Sequence, residues 1–272
     1  MGKAWNDAMA LLGANFGLIA TIVALFYFLP SLAIALLFPE IANPEQPEIP
    51  QGADPAVVYE VMMSSLQDQY AKGWPFMLFI TLMQYAGTIC VLALFPERGN
   101  PTVGEAIKNG LRGTPSYLAT QIIFVLGLSI VLGTLVTLAF LIFPVLGVLV
   151  GLVMVVLAVY VTVKLILVPT IIGMEGELNP ITALKRSWAL TKGNSLMIFA
   201  FLLVLLLTVG LVALVVSLVL GTVFAIFGTT IANIGNGLVN ALVSAVMGGL
   251  VLVVLASIHR QLTGTKDVEA FE

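Results

Sequence analysis

Two stretches of this chain contain no Asp, Glu, Lys or Arg at all: residues 113–163 and residues 193–259. A soluble fold needs polar side chains wherever an element meets water. Stretches this long without a charge fit a course through lipid, where backbone hydrogen bonds are satisfied inside helices. Each is long enough for two helices crossing roughly 30 Å of hydrocarbon at about 20 residues per crossing. Composition agrees, with 60% of the 272 residues hydrophobic and 9% charged, against about 25% charged in an ordinary soluble domain. The mean hydropathy is +1.11.

Apolar runs bounded by Pro, Gly and charge predict six spans, at about residues 15–38, 75–95, 117–142, 145–168, 195–226 and 236–258. Only the FPVLG turn at Phe143 and Pro144 separates the third from the fourth. The fifth is longer than a crossing needs, so it is expected to tilt or to end near Gly221. Lys3 ahead of the first run imitates a secretory signal, but the run from Asn15 to Phe38 exceeds a signal core and is expected to be retained as a helix. The expected fold is all-α: a polytopic membrane protein, one transmembrane domain over residues 1–272, with six helices in three hairpins.

Charge supplies an orientation. With six spans both termini share a side, and Lys3, Arg98, Lys108, Arg112, Lys185, Arg186, Lys192, Arg260 and Lys266 all fall on it. The opposite side carries Glu40, Glu45, Glu48, Asp54, Glu60 and Asp68 against Lys72 alone. Basic loops favour the cytoplasm, so both termini are expected there. The external segment 39–74 begins PEIANPEQPEIPQGADP, whose prolines favour extended chain. Val58, Val61, Met62, Leu66 and Gln69 then follow helical spacing, predicting a short amphipathic helix lying on the outer membrane surface or capping the bundle. A formal charge of −3 with scattered basic residues gives no nucleic-acid footprint. The single cysteine, Cys90, leaves neither an internal disulfide nor a cysteine-built metal site.

One cytoplasmic motif recurs. NPTVGEAIKNGLRG (100–113) and NPITALKRSWALTKG (179–193) both open Asn-Pro, carry a basic stretch and stop at Gly, and KAWNDAMALLGAN (3–15) is a weaker copy. Three repeat units are therefore expected, at about 1–95, 96–168 and 169–258, each a short interfacial helix followed by a membrane hairpin. Pro101 and Pro180 suit a first turn, Thr102 with Glu105 has capping-box spacing, and Gly113 and Gly193 suit helix ends. Ile181, Leu184 and Trp188 share a face edged by Lys185 and Lys192, a pattern fitted to an indole at headgroup depth beside anionic lipid. Lys185, Arg186, Trp188, Lys192, Lys108 and Arg112 are the expected lipid- or partner-contacting residues.

The segment VPTIIGMEGELNPITALKRSWALTKGNSLMIFAFLLV (168–204) resembles the membrane domain of the glycerophosphoryl diester phosphodiesterase membrane-domain family and the related YciC-like bacterial inner-membrane proteins. The residues that carry the likeness are Pro169, Glu175, Ala183, Leu184, Arg186, Ser187, Trp188, Leu190, Thr191 and Gly193. The resemblance implies a multi-pass protein of the bacterial inner membrane. It implies no phosphodiesterase activity, since the catalytic barrel of those enzymes has no counterpart in this chain.

Chemistry within the spans is sparse. Lys164 lies close enough to Pro169 for its ammonium to snorkel to the surface, and His259 beside Arg260 is expected at the interface. Neither has a second ligand-type residue at metal spacing, so no metal or other cofactor is expected. Asn236, Asn240, Ser244 and Gly248 recur every four residues, beside a second row of Asn233, Gly237, Ala241, Ala245 and Gly249. Such faces are expected inside a helix bundle. The first-ranked expectation is a non-enzymatic protein with an accessory or envelope-maintenance role, contacting anionic headgroups or a membrane-protein partner. The alternative is a permease with a polar path along Asn236, Asn240, Ser244, Gln84 and Tyr85.

Overall fold

A computed structural model describes residues 2–42, 47, 49, 52–96 and 101–269. Glu45, Glu48, Arg98 and Asn100, used in the arguments above, lie outside the described residues. Every regular element among the described residues is helical. In order these are α1 (Gly2–Val23), a π-helical turn (Ala24–Phe28), α2 (Leu29–Leu37), α3 (Pro39–Ala42), α4 (Pro55–Leu92), α5 (Val103–Ile142) and α6 (Pro144–Leu165). There follow α7 (Val168–Thr170), a second π-helical turn (Ile171–Glu175), α8 (Pro180–Leu190), α9 (Ser195–Ala225) and α10 (Thr229–Glu269). Six stretches are long and apolar enough to cross a membrane: Gly2–Leu37, Pro55–Leu92, Val103–Ile142, Pro144–Glu175, Ser195–Ala225 and Ile231–Gly264. Each predicted run coincides with one of them.

The interfacial pieces depart from expectation. Only α8 stands as a separate short helix. Residues 103–113 run straight into the span as α5, and the first copy is joined to its span through a kink at Asn15 (φ −124°, ψ 19°), whose Nδ2 donates to Leu11 O at 3.1 Å. Gly113 does not end a helix because it serves close packing: a Cβ there would lie 3.0 Å from the Cγ2 atoms of both Ile89 and Ile172. The amphipathic segment is likewise continuous with its span as α4, with Pro75 inside the helix. Met62 and Leu66 are exposed, while Val58, Val61, Ser65, Gln69 and Phe76 are partly shielded and Gly73 is buried. The break between α5 and α6 falls at Phe143, as the FPVLG turn predicts, with extended backbone (φ −159°, ψ 128°) and Pro144 in the first turn of α6.

The chain divides into two compact units, Met1–Ile22 with Thr88–Leu207 and Gly249–Glu272, and Val23–Gly87 with Thr208–Gly248. In the first, the fully buried side chains include Ile89, Leu92, Leu167, Ile171, Ile198, Ile258 and His259. Backbones approach closely there. A Cβ on Gly110 would stand 2.5 Å from Cys90 Cα, and one on Gly173 2.6 Å from Leu92 Cβ. Ser257 Oγ donates to Ala4 O at 2.7 Å and Gln261 Nε2 to Asp7 Oδ2 at 3.0 Å, fastening α10 to α1 within this unit.

In the second unit Tyr27 packs over two glycines. A Cβ on Gly248 would meet its Cε1 at 2.7 Å, and one on Gly87 would meet its Cε2 at 2.8 Å. The expectation that Asn240 and Ser244 face inward is corrected: both are exposed, and Gly237, Ala241 and Ala245 form the buried row of α10. A Cβ on Gly237 would sit 2.7 Å from Ala35 Cβ. Close approach is made at the glycines and alanines of both rows, and the Asn and Ser positions between them stay outside it.

Across α5, α6 and α9 the outward residues are large and apolar, including Leu141, Val156 and Leu196 at 77%, 70% and 79% exposure. In water such a surface would drive association; against lipid chains it is the ordinary exterior.

Candidate functional site

Local sequence builds one polar cluster in the first unit, between the end of α6 and the end of α8. Leu167 leaves helical geometry (φ −90°, ψ 3°) and Pro169 opens the short α7. The π-helical turn that follows closes on Gly176 at φ +76°, a left-handed conformation that costs glycine nothing. Such wide turns recur at functional sites. Asn179 then caps α8, its Oδ1 accepting from the N–H groups of Ile181 (3.0 Å) and Thr182 (3.3 Å), with Pro180 in the first turn.

Glu175 is the hub of this cluster. Its Oε2 forms an ion pair with Arg186 Nε, and its Oε1 lies 2.8 Å from His259 Nε2. His259 is 1% exposed, and Glu175, 84 positions away in sequence, reaches it where no ligand-type neighbour stands at metal spacing in the chain. Charge-assisted hydrogen bonds of this kind are roughly twice as strong as neutral ones. They tie the π-helical turn to α8 through Arg186 and to α10 through His259.

A second set of contacts holds α8 against α6. Ser187 Oγ donates to Lys164 O at 2.9 Å, and Thr191 Oγ1 stands 3.2 Å from the same carbonyl and 2.9 Å from Ser187 O. These hydroxyls occupy a carbonyl that the end of α6 leaves without a helical partner. Lys164 does not snorkel. It is 4% exposed, with Nζ 3.5 Å from Thr191 O and 5.5 and 5.6 Å from the ring centroids of Tyr160 and Trp188. The two rings meet edge to face at 6.0 Å and 87°. A desolvated ammonium over two aromatic faces is held by their quadrupoles.

The opposite face of α8 is open. Ala183, Ser187, Leu190 and Thr191 are buried, whereas Ile181, Lys185, Trp188 and Lys192 are exposed. Lys108 and Arg112 are exposed on α5 and line a hollow of about 720 Å³ with Glu105, Asn109, Met174 and Glu175. Glu105 is engaged in the expected capping box, with Thr102 N–H donating to its Oε2 at 2.9 Å and its own N–H donating to Thr102 Oγ1 at 3.3 Å. The structure thus groups Arg186 with Glu175 and His259, Trp188 with Lys164 and Tyr160, and Lys108 with Arg112. The polar-path residues lie in the second unit: Asn240 and Ser244 are exposed, and Asn236, Gln84 and Tyr85 are half-buried. Among the described residues no group of three His, Cys, Asp or Glu side chains could hold a metal ion.

Sequence reasoning missed Tyr160 and the partnership of Glu175 with His259. The spacing of Tyr160 and Lys164, four residues apart on one helix, was a legible signal for the first. The second, across 84 positions, had none.

Six helices long and apolar enough to cross a membrane fit a multi-pass helical membrane protein. The chain belongs to the family described as Domain of unknown function (DUF7847), whose model matches residues 110–262. That region holds Lys164, Glu175, Arg186, Trp188 and His259. No curated protein and no solved structure matches the chain.

Proposed function

We propose that this is a non-enzymatic protein of the bacterial inner membrane with both termini in the cytoplasm. Its role is accessory or envelope-maintaining, exerted where α8 meets anionic headgroups or the surface of a membrane-protein partner. The observation that carries this reading is the sidedness of α8. One face is locked by Ser187, Thr191 and the Arg186–Glu175 pair, and the other presents Lys185, Trp188 and Lys192 outward. A Trp flanked by lysines on a fixed surface helix suits the headgroup layer. The excess of basic residues on the side of α8 supports the orientation, and the six long apolar helices support a membrane role. A permease reading has less support, because Asn240 and Ser244 are exposed.

The test uses the full chain in nanodiscs, with Trp5→Phe and Trp74→Phe leaving Trp188 as the only indole. Brominated phosphatidylglycerol is expected to quench Trp188 more strongly than brominated phosphatidylcholine. Lys185→Gln with Lys192→Gln should remove most of that preference, since each cation contributes about 1 kcal/mol near an anionic surface. Equal quenching by the two lipids in the unsubstituted lysine background refutes the headgroup role.

A further inference from the structure

The structure assigns a discrete lipid site to the open side of α8. α5, α6 and α8 enclose a groove of about 520 Å³ whose walls are apolar, with Phe124, Leu128 and Val131 from α5 and Leu157 and Val161 from α6. Its floor is open at Gly127, where a Cβ would meet nothing within 4 Å. At the α8 end the lining changes to Lys185 and Trp188. Among the described residues no acceptor is paired with the Lys185 ammonium or the Trp188 indole N–H. No acidic side chain lines the groove.

An apolar trough ending in an unpaired cation and an unpaired N–H is complementary to one class of molecule, an anionic phospholipid. Its acyl chain lies along Gly127 and Val131, and its phosphate accepts hydrogen bonds from Lys185 Nζ and Trp188 Nε1. The position of the indole is set from behind. Tyr160 meets it edge to face, and the buried Lys164 ammonium, 5.6 Å from its centroid, adds a second positive charge to the headgroup end. A small groove with a cation and a held indole N–H at one end has the form of a lipid or ligand site rather than of bulk lipid contact. The assignment rests on the headgroup reading of α8 and goes beyond it by naming one stoichiometric ligand.

Native mass spectrometry of the full chain, purified from an equimolar mixture of phosphatidylglycerol and phosphatidylcholine with identical chains, tests the site. One phosphatidylglycerol retained per chain is expected. Gly127→Leu fills the groove without a backbone clash and should abolish retention, and Val131→Trp, filling it from the next turn, should do the same. Lys185→Gln should keep a lipid bound but lower the preference for phosphatidylglycerol about fivefold. Unchanged retention in both groove-filling variants overturns the site, as does equal retention of the two lipids by the wild type. A dimer that dissociates on Gly127→Leu also overturns it, since a second copy would then be the occupant. If retention is unchanged while Trp188 quenching still favours phosphatidylglycerol, only the discrete site fails. If the quenching preference is absent as well, the headgroup role fails with it.

Discussion

The two Asn-Pro motifs, at 100–113 and 179–193, start from nearly the same instructions and end differently. Both carry an N-terminal cap, through Thr102 in α5 and Asn179 in α8, and both place a glycine where a helix could stop. In the first the helix continues through Gly113, whose bare Cα admits Ile89 and Ile172. In the second the chain turns at Gly193 with φ +87°, and nothing lies within 4 Å of where its Cβ would be. One glycine is used for lack of volume and the other for backbone freedom. The first motif packs through its glycines, Gly110 against the Cys90 backbone, whereas the second is fastened to its neighbours by side-chain hydrogen bonds and an ion pair.

Substitutions that attack one kind of support and leave the other can break that contrast. The largest effect is expected at Gly110 in the first motif, where Gly110→Ala drives a Cβ to 2.5 Å from Cys90 Cα and Sγ. Overpacking of this kind costs about 3 kcal/mol, and in mild detergent it should give the largest fall in apparent Tm of the series. Glu175→Ala in the second motif comes next. It strips the buried His259 and the half-exposed Arg186 of their carboxylate, for about 2 kcal/mol, with the loss seen as faster amide exchange across α8. Gly193→Ala forces a left-handed alanine and should cost about 1 kcal/mol by thermal unfolding, with no clash to relieve. Smallest is Lys185→Gln, an exposed change expected to alter stability by less than about 0.5 kcal/mol while moving lipid preference. A Gly193→Ala loss as large as that of Gly110→Ala would erase the distinction between the two glycines.

Much of the fold could be read in the sequence because lipid enforces a simple code. A charge-free run of about 20 residues has few alternatives to a spanning helix, so the six runs and the break at Phe143 were legible. The capping box of Thr102 and Glu105 was legible because it closes within a few residues. The site was legible only in part. Lys185 and Trp188 stand exposed on α8 and Lys192 in the turn after it, but Arg186, grouped with them by sequence, is drawn into the pair with Glu175. Periodicity on α10 showed two small-residue faces and could not rank them; Gly237 of one meets Ala35 and Gly248 at the end of the other meets Tyr27, while Asn240 and Ser244 stay exposed.

What the amino-acid order determined by itself is local: helical runs, the turn between α5 and α6, the caps, and the apolar exterior of the spans. Tertiary structure alone decided which glycine turns the chain, which face of α10 is buried, and that Lys164 and His259 lie inside rather than at a surface. The physical reason is range. Spanning and capping depend on hydrogen bonds closed within a few residues, whereas the fate of Lys164 and His259 depends on Trp188 and Glu175, which only packing brings within reach.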